Sequence, residues 1–316
     1  MRFSNSILNS ILLIDKTIIR GITMKRILLY ISVFLAALSH CKLSEANPSK
    51  KVIVFDMDEV FVNINKWKTG ASVLTHALTQ MPLFMFKMST DSRFRKRVNA
   101  IFSKKNKLTN PESYNNVSYK LSQLARIYKP LRKIFDSLLI SINQTGRYRI
   151  TEVVEIIKRL KDCGYTVIVA TNRDRIGFEL TAKKLKFDQL YNGKRLFDAV
   201  IVGDAKNFVK ETTMNGKRFS KFAPNPAYND YITHAPTYKP GTAYYKVVRQ
   251  VVDDYVAKHS NKFDTTSPDI LFFDDKKENI NGANKSGLNI TAYHVPNSGK
   301  GKSIHKNICN NLGITL

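Results

Sequence analysis

The chain runs to 316 residues with only three cysteines and one tryptophan. Cys41 falls in an N-terminal apolar stretch, and Cys163 and Cys309 stand too far apart for a zinc spacing or a disulfide framework. Disulfide-stapled folds and zinc modules are excluded. Acidic residues are scarce as well: 25 Asp+Glu stand against 51 Lys+Arg, a formal net charge of +26. A field of that sign attracts anions such as phosphorylated metabolites, nucleic acid or acidic lipid head groups, although much of it can be ordinary solvated surface. No RNP-like motif accompanies the charge, so nucleic acid is a partner that the charge allows and no motif supports. No internal repeat is visible.

Long apolar runs are missing too. The segment "MKRILLYISVFLAALSHC" opens at Met24 with Lys25 and Arg26, and its uncharged run lasts from Ile27 to Leu38. A helix of that length rises about 18 Å, short of a bilayer core. With Ser44 and Ala46 ahead of Asn47, residues 1–46 read as an N-terminal extension and a cleavable signal peptide. His40 argues against lipid attachment at Cys41. The expectation is an exported protein, periplasmic or secreted, if the signal is used, and otherwise a cytoplasmic or membrane-tethered one. No stable membrane span is expected after cleavage.

What remains is 43% hydrophobic, enough for one large α/β domain with an insertion. Short apolar strands are predicted at Val52–Phe55, Thr166–Ala170, Phe197–Val202 and Ile270–Phe273, with a fifth at Ile290–His294. Helical patterns separate them at Thr151–Lys161, Gly177–Leu185, Thr242–Val256 and Lys277–Ser286. This alternation implies an α/β protein: a Rossmann-like, three-layer core with a parallel sheet covered on both faces. Ligands of such sheets bind beyond the carboxyl ends of the strands. Residues 63–146 carry mostly helical patterns and are too long for a connection. They read as a helical cap domain, leaving 47–62 and 147–316 as the core. Residues 208–238 are polar, aromatic and proline-containing, and read as a loop insertion within the core.

The strand ends carry unusual chemistry. The first ends in Asp56-Met57-Asp58, the second in Thr171-Asn172 and the fourth in Asp274-Asp275. In a parallel sheet all three reach one rim. Clustered carboxylates repel and must be offset by cations, and an oxygen-only ligand set points to a hard ion such as Mg²⁺ rather than zinc. A hydroxyl and an amide nearby can bind phosphate oxygens. Lys239 in "YKPGTAYYK" could supply a fixed charge, with Pro240 in the first turn of the next helix; Lys210 and Lys217 are the alternatives. Asp204 in "VGDAKN" reads as structural.

The ordered set "VIVFDMDEV", "VIVATN", "YKPGTAYYK" and "LFFDDKKEN" resembles the four motifs of the haloacid dehalogenase (HAD) superfamily. The resemblance runs from about Lys51 to His294, outside residues 63–146 and 208–238. It implies a Mg²⁺-dependent phosphomonoester hydrolase acting on a small phosphorylated substrate. Asp56 would be the nucleophile that becomes an aspartyl-phosphate. Asp58 would protonate the leaving oxygen and then activate water, a role that calls for a raised pKa from an anionic setting. The metal would be held by Asp56, Asp275 and the carbonyl of Asp58, with Asp274 on a metal-bound water. Thr171 and Asn172 would bind the phosphoryl group, and Lys239 would offset its charge. Asn279 matches a position in the last motif.

Two departures stand out. Glu59 and Val60 occupy places where many relatives have Gly-Thr, and the insertion before Lys239 is long. In members with an insertion after the first motif, a helical lid closes over the substrate. Met81–Met88 is the candidate lid interior, or else ordinary cap packing, and Arg93, Arg95, Lys96 and Arg97 either greet an anion or form a solvated face. A phosphomutase would use the same motifs. A dehalogenase would leave Asp58 without work. From a different class, a non-catalytic exported protein could use its basic surface on nucleic acid or anionic membrane. Substrate identity and oligomeric state are not set by these motifs.

Overall fold

The first predicted strand forms as β1 (Lys51–Phe55), and from Val52 onward its side chains are fully buried, as in a strand covered on both faces. The computed structural model describes residues 51–78, 81–103, 117–203, 213–214, 217–218, 225–264, 267–296, 306, 308–310 and 312. Apart from Leu312 these lie in one compact unit, Asn47–Asn311. The signal-peptide region, Asp204 and Lys210 lie outside the described residues.

After β1 the chain makes a tight turn into β2 (Val62–Ile64). Helices follow at α1 (Lys66–Leu78), α2 (Met81–Thr90), α3 (Ser92–Ile101), α4 (Val117–Ile127) and α5 (Lys129–Asn143). The chain returns through β3 (Arg147–Arg149), which pairs antiparallel with β2, Ile64 opposite Arg147. The two strands that join the helical segment to the sheet therefore run side by side. Within that segment Phe84, Phe94 and Tyr128 pack ring to ring at 5.5–5.6 Å. Phe135 and Leu139 of α5 pack against Ile176 and Leu180.

From β3 the alternation begins: α6 (Thr151–Asp162), β4 (Thr166–Thr171), α7 (Arg175–Leu185) and β5 (Ala199–Val202). A small hairpin, β6 (Thr213–Met214) with β7 (Lys217–Arg218), precedes β8 (Ile232–His234). Then come α8 (Thr242–Lys258), β9 (Asp269–Asp274), α9 (Lys277–Asn284) and β10 (Ile290–His294). The main sheet has six strands in the order β10-β9-β1-β4-β5-β8, all parallel.

Alternation of side chains decides what each face meets. Val52, Val54, Ile168, Ala170, Ile270 and Phe272 face one way, into Tyr244, Tyr245, Val248 and Val252 of α8 and Ile280 of α9. Ile53, Phe55, Val167, Val169 and Phe273 are buried just as completely, and Phe55 stacks on Phe273 at 5.2 Å. Each such side chain contributes roughly 1.5–3 kcal/mol of burial free energy.

Two expectations need correction. Residues 208–238 are more than a loop: they supply β6, β7 and a sixth sheet strand, β8. Three residues beside "AYNDY" and "HAP" are too few to show a strand's alternation. The Met81–Met88 run is not an interior either. Phe84 joins the ring cluster, but Leu83, Met85 and Phe86 are exposed. Ten residues of helix expose an outer face whatever their composition. Arg93, Arg95, Lys96 and Arg97 form the exposed side of α3, opposite its buried Phe94, Val98 and Ile101. Arg95 bonds the carbonyls of Met88 and Ser89.

Candidate active site

Strand register builds the site. Phe55 lies beside both Val169 and Phe273, so Asp56 emerges next to Asp274 and one residue short of Thr171. The Asp56 amide donates to the Phe273 carbonyl at 2.8 Å, continuing the ladder by one bond. Lys239 meets them from the turn before α8. Its ammonium donates to Asp56 Oδ1 at 2.8 Å, Asp274 Oδ2 at 2.7 Å and the Ala170 carbonyl at 2.9 Å. All three donors of the lysine are used, and its side chain is 1% exposed. Pro240 does not enter the first turn of α8; Gly241 is the N-cap and Pro240 precedes it.

The other expected residues gather around this centre. Asn172 accepts from the Lys239 amide at 2.8 Å and donates to its carbonyl at 3.2 Å, clamping the lysine backbone from both sides. Thr171 Oγ1 accepts from the amide of Arg173 at 3.2 Å, which leaves its hydroxyl proton to donate. Asn279 donates to both oxygens of Asp274, and the Lys276 amide donates to Oδ1. Gly282 lets α9 come this close, because a Cβ there would sit 2.5 Å from the Pro240 carbonyl. The Asp275 carboxylate accepts no side-chain hydrogen bond among the described residues. Oxygens of Asp56, Asp274 and Asp275 lie within 4.8 Å of one another and could hold a metal ion. With Asp274 already engaged by Lys239, Asn279 and Lys276, the freer donors are Asp56 Oδ2 and Asp275. An oxygen-only set of this kind suits Mg²⁺.

Burial pushes the Asp56 carboxyl up to about 8, even with the Lys239 ammonium pulling the other way. Burial alone would lower Lys239, but Asp274 and Asp56 hold it above the ordinary lysine value. Asp275 is also raised, by burial and then by Asp274. A cation placed among these three acids would favour their ionised forms.

Asp58 has different company. Arg173 grips it with both arms of its fork, Nε to Oδ2 at 2.9 Å and Nη2 to Oδ1 at 2.8 Å. Arg147 adds a longer contact to Oδ1 at 3.4 Å. The anionic setting expected for Asp58 is therefore replaced by a cationic one. Neither arginine was singled out in the sequence. Arg173 directly follows Thr171-Asn172, a position that could have flagged it, whereas Arg147 reaches the site only through the β2–β3 pairing. Burial, then the neighbouring Arg173, lowers Arg147 to about 10.

Glu59 now has a physical reading. It adopts φ 62° in the turn after Asp58, and its amide donates to the Val62 carbonyl at 2.7 Å. The left-handed region disfavours residues with a Cβ, so a glycine would fit this turn with less strain. Its carboxyl is raised by burial, with Lys66 as the largest opposing influence.

Together these groups line a cleft of about 310 Å³. Asp56, Asp58, Thr171, Asn172, Lys239 and Asp275 all reach it, and Asp274 sits fully buried behind Lys239. The helical segment and its connecting strand contribute Ile64 and Lys66 to the wall; none of Met81–Met88 does. Acids at Asp56, Asp58, Glu59 and Asp275 are matched by cations at Lys66, Arg173, Lys239 and Lys276. Charge in the cleft is balanced, so a divalent cation and a dianionic phosphoryl group could enter together without tipping it.

No protein-family model and no curated protein matches the chain. Several solved structures are similar to it. A HAD family enzyme of Bacteroides thetaiotaomicron is 13% identical with a TM-score of 0.42, over 79% of this chain and 95% of that one. The same enzyme in complex with magnesium and inorganic phosphate is 12% identical, with a TM-score of 0.38 over the same shares. A dehalogenase is 13% identical with a TM-score of 0.39, over 79% of this chain and 87% of that one. The α/β architecture itself is given by the chain's own six paired strands.

Proposed function

We propose that the chain is a Mg²⁺-dependent phosphomonoester hydrolase of the HAD type, working through an aspartyl-phosphate on Asp56. The observation that carries this reading is the Lys239 ammonium, held 2.8 Å from Asp56 and 2.7 Å from Asp274 at the rim where β1, β4 and β9 end. A buried lysine so placed fixes one oxygen of Asp56 and leaves Oδ2 to attack. Asp56, Asp275 and the Asp58 carbonyl are the residues that would hold the ion. Once bound, the ion would screen the repulsion between a carboxylate and an anionic phosphoryl group.

In the first step Asp56 Oδ2 forms a bond to phosphorus while the ester P–O bond breaks. The leaving oxygen takes its proton from Asp58. In the second step water attacks phosphorus and gives a proton to Asp58, and the bond to Asp56 breaks. Inorganic phosphate leaves, and Asp56 is restored. Thr171 would donate its hydroxyl proton to a phosphoryl oxygen, and Lys239 would offset the charge that builds there. Asn172 would act through the lysine backbone it clamps as well as on the phosphoryl group. The helical segment 63–146 would be the cap over a small substrate. The basic surface then serves anionic substrates rather than nucleic acid. Export, with a mature N-terminus at Asn47, belongs to the same reading and is checked by sequencing the N-terminus of protein from its native host.

The test is phosphate release from residues 47–316 over a panel of phosphorylated metabolites, with and without Mg²⁺. Turnover that needs both Mg²⁺ and Asp56 is the expected result. Transfer of the phosphoryl group to a second position of the substrate, without release, would make the protein a mutase. No Asp56-dependent chemistry on any phosphomonoester would end the reading.

A further inference from the structure

Asp58 cannot serve the leaving oxygen while both its oxygens are occupied. Arg173 occupies both, Nε to Oδ2 at 2.9 Å and Nη2 to Oδ1 at 2.8 Å, and the guanidinium is 8% exposed. The third arm is held elsewhere: Nη1 donates to Asn143 Oδ1 at 2.8 Å and to Thr181 Oγ1 at 3.1 Å. Asn143 is the last residue of α5, and its carbonyl accepts from the Thr181 hydroxyl at 2.7 Å. The guanidinium is thus anchored at one corner and presents its two-pronged edge to the cleft. Arg173 itself lines that cleft with Asp56, Thr171 and Lys239.

We propose that Arg173 is a phosphoryl-binding residue that exchanges partners, leaving Asp58 for two oxygens of the incoming phosphoryl group and so releasing Asp58. This rests on the phosphatase reading of Asp56 and Asp58. A phosphoryl dianion offers the fork two oxygens at carboxylate-like spacing and with more charge. The Nη1 anchor makes the change a pivot of one group rather than a displacement of the chain. Asp58 is not stranded by it, because Arg147 stands 3.4 Å from Oδ1 and can close on it. Lys239 cannot make such a change, since its three donors are spent on buried acceptors. The two cations divide the work: the lysine is a fixture and the arginine is the part that moves.

The exchange has a signature that a purely structural arginine lacks. Inorganic phosphate, with Mg²⁺ present, must compete with Asp58 for Arg173. Arg173→Ala should weaken phosphate binding about tenfold or more, the scale of a charge-assisted contact, and lower kcat/KM at least as much. Added guanidinium ion should restore part of both, and Arg173→Lys should not match wild type, because an ammonium has no fork. Asp58→Asn should do the opposite for binding: turnover is lost, but phosphate binds several-fold more tightly because its competitor is weakened. In the Arg173→Ala background that gain should vanish, whereas a general loss of negative charge would persist there. Calorimetric titration of the four proteins (wild type, both singles and the double) reads all of this. Phosphate affinity unchanged by Arg173→Ala in an active, folded enzyme overturns the exchange and leaves the phosphatase reading standing. Equal gains from Asp58→Asn in both backgrounds overturn it too. If Arg173→Ala fails to fold, Asp58→Asn and Arg173→Lys still decide: no gain in the first together with full affinity in the second sinks the proposal. A wild type that neither binds phosphate nor turns over a phosphomonoester sinks both readings.

Discussion

Asp56 and Asp58 are separated by one residue, yet they are held by cations of different kinds. Asp56 meets a lysine from 183 positions further along, buried among Asp56, Asp274 and the Ala170 carbonyl. Asp58 meets an arginine fork from 115 positions further along, at the cleft wall. A compact ammonium with three acceptors around it acts as a fixed point charge. A planar guanidinium with one arm anchored and two facing the cleft can trade one two-oxygen partner for another. The chemistry proposed for each acid follows the same division. The nucleophile needs constant alignment, and the proton carrier needs to be let go.

The contrast breaks hardest at the nucleophile. Asp56→Asn keeps the shape of the site but cannot form the acyl phosphate, and turnover should fall by about 10⁴-fold or more, the scale seen when a nucleophile is removed. Phosphate release by the purified variant measures it, and activity within tenfold of wild type, with deamidation excluded, would remove Asp56 from its role. Lys239→Ala comes next. It should cost at least about 10²-fold in turnover, typical of one preorganised electrostatic contact. In Mg²⁺-free protein it should also cost about 3–5 kcal/mol of stability, because Asp56 and Asp274 are left buried without their cation. Denaturant titration checks the second figure. Lys217→Ala, in the β6–β7 hairpin, should leave both measurements nearly unchanged, and the reverse ranking would move the role into the insertion.

Asp275→Ala sharpens the same comparison from the metal side. It should abolish Mg²⁺ dependence together with activity, and a Mg²⁺ titration unchanged from wild type would place the ion elsewhere. Smaller effects follow on the scaffold. Gly282→Ala drives a methyl into the Pro240 carbonyl and should destabilise by about 1–3 kcal/mol, as overpacking does, seen as a lower Tm. Glu59→Gly removes a side chain from a left-handed position and should stabilise by about 1 kcal/mol. A lower Tm for Glu59→Gly would mean that the carboxylate earns its place through Lys66 or Arg147.

The lysine half of the comparison was legible in the sequence and the arginine half was not. Asp56, Asp274, Asp275 and Thr171 each close an apolar strand, so alternation and a parallel sheet were enough to bring them to one rim. Lys239 was legible through the Pro-Gly turn and the helix behind it, although Gly241 rather than Pro240 starts that helix. Arg147 could not be read that way, because its place depends on a three-residue strand pairing across the whole helical segment. Arg173 sat beside a motif in plain view, but nothing local shows that a side chain will turn back toward Asp58. Strand β8 was hidden for the same reason as Arg147: three residues carry too little pattern to announce a partner.

That short strand has a consequence for solubility. Beside it lies β5, "AVIV", four apolar residues buried without exception. Were β8 absent, β5 would be the outermost ladder of the sheet, with an open row of amides and carbonyls on a flat hydrophobic strip. Such an edge is a template for strand addition by another molecule. As built, the outermost position is taken by three residues ending at His234, followed two places later by Pro236, which offers no amide to a newcomer. Trimming residues 208–238 to simplify the protein would thus convert a monomer's protected rim into a seed for aggregates, even with every residue of the cleft left in place.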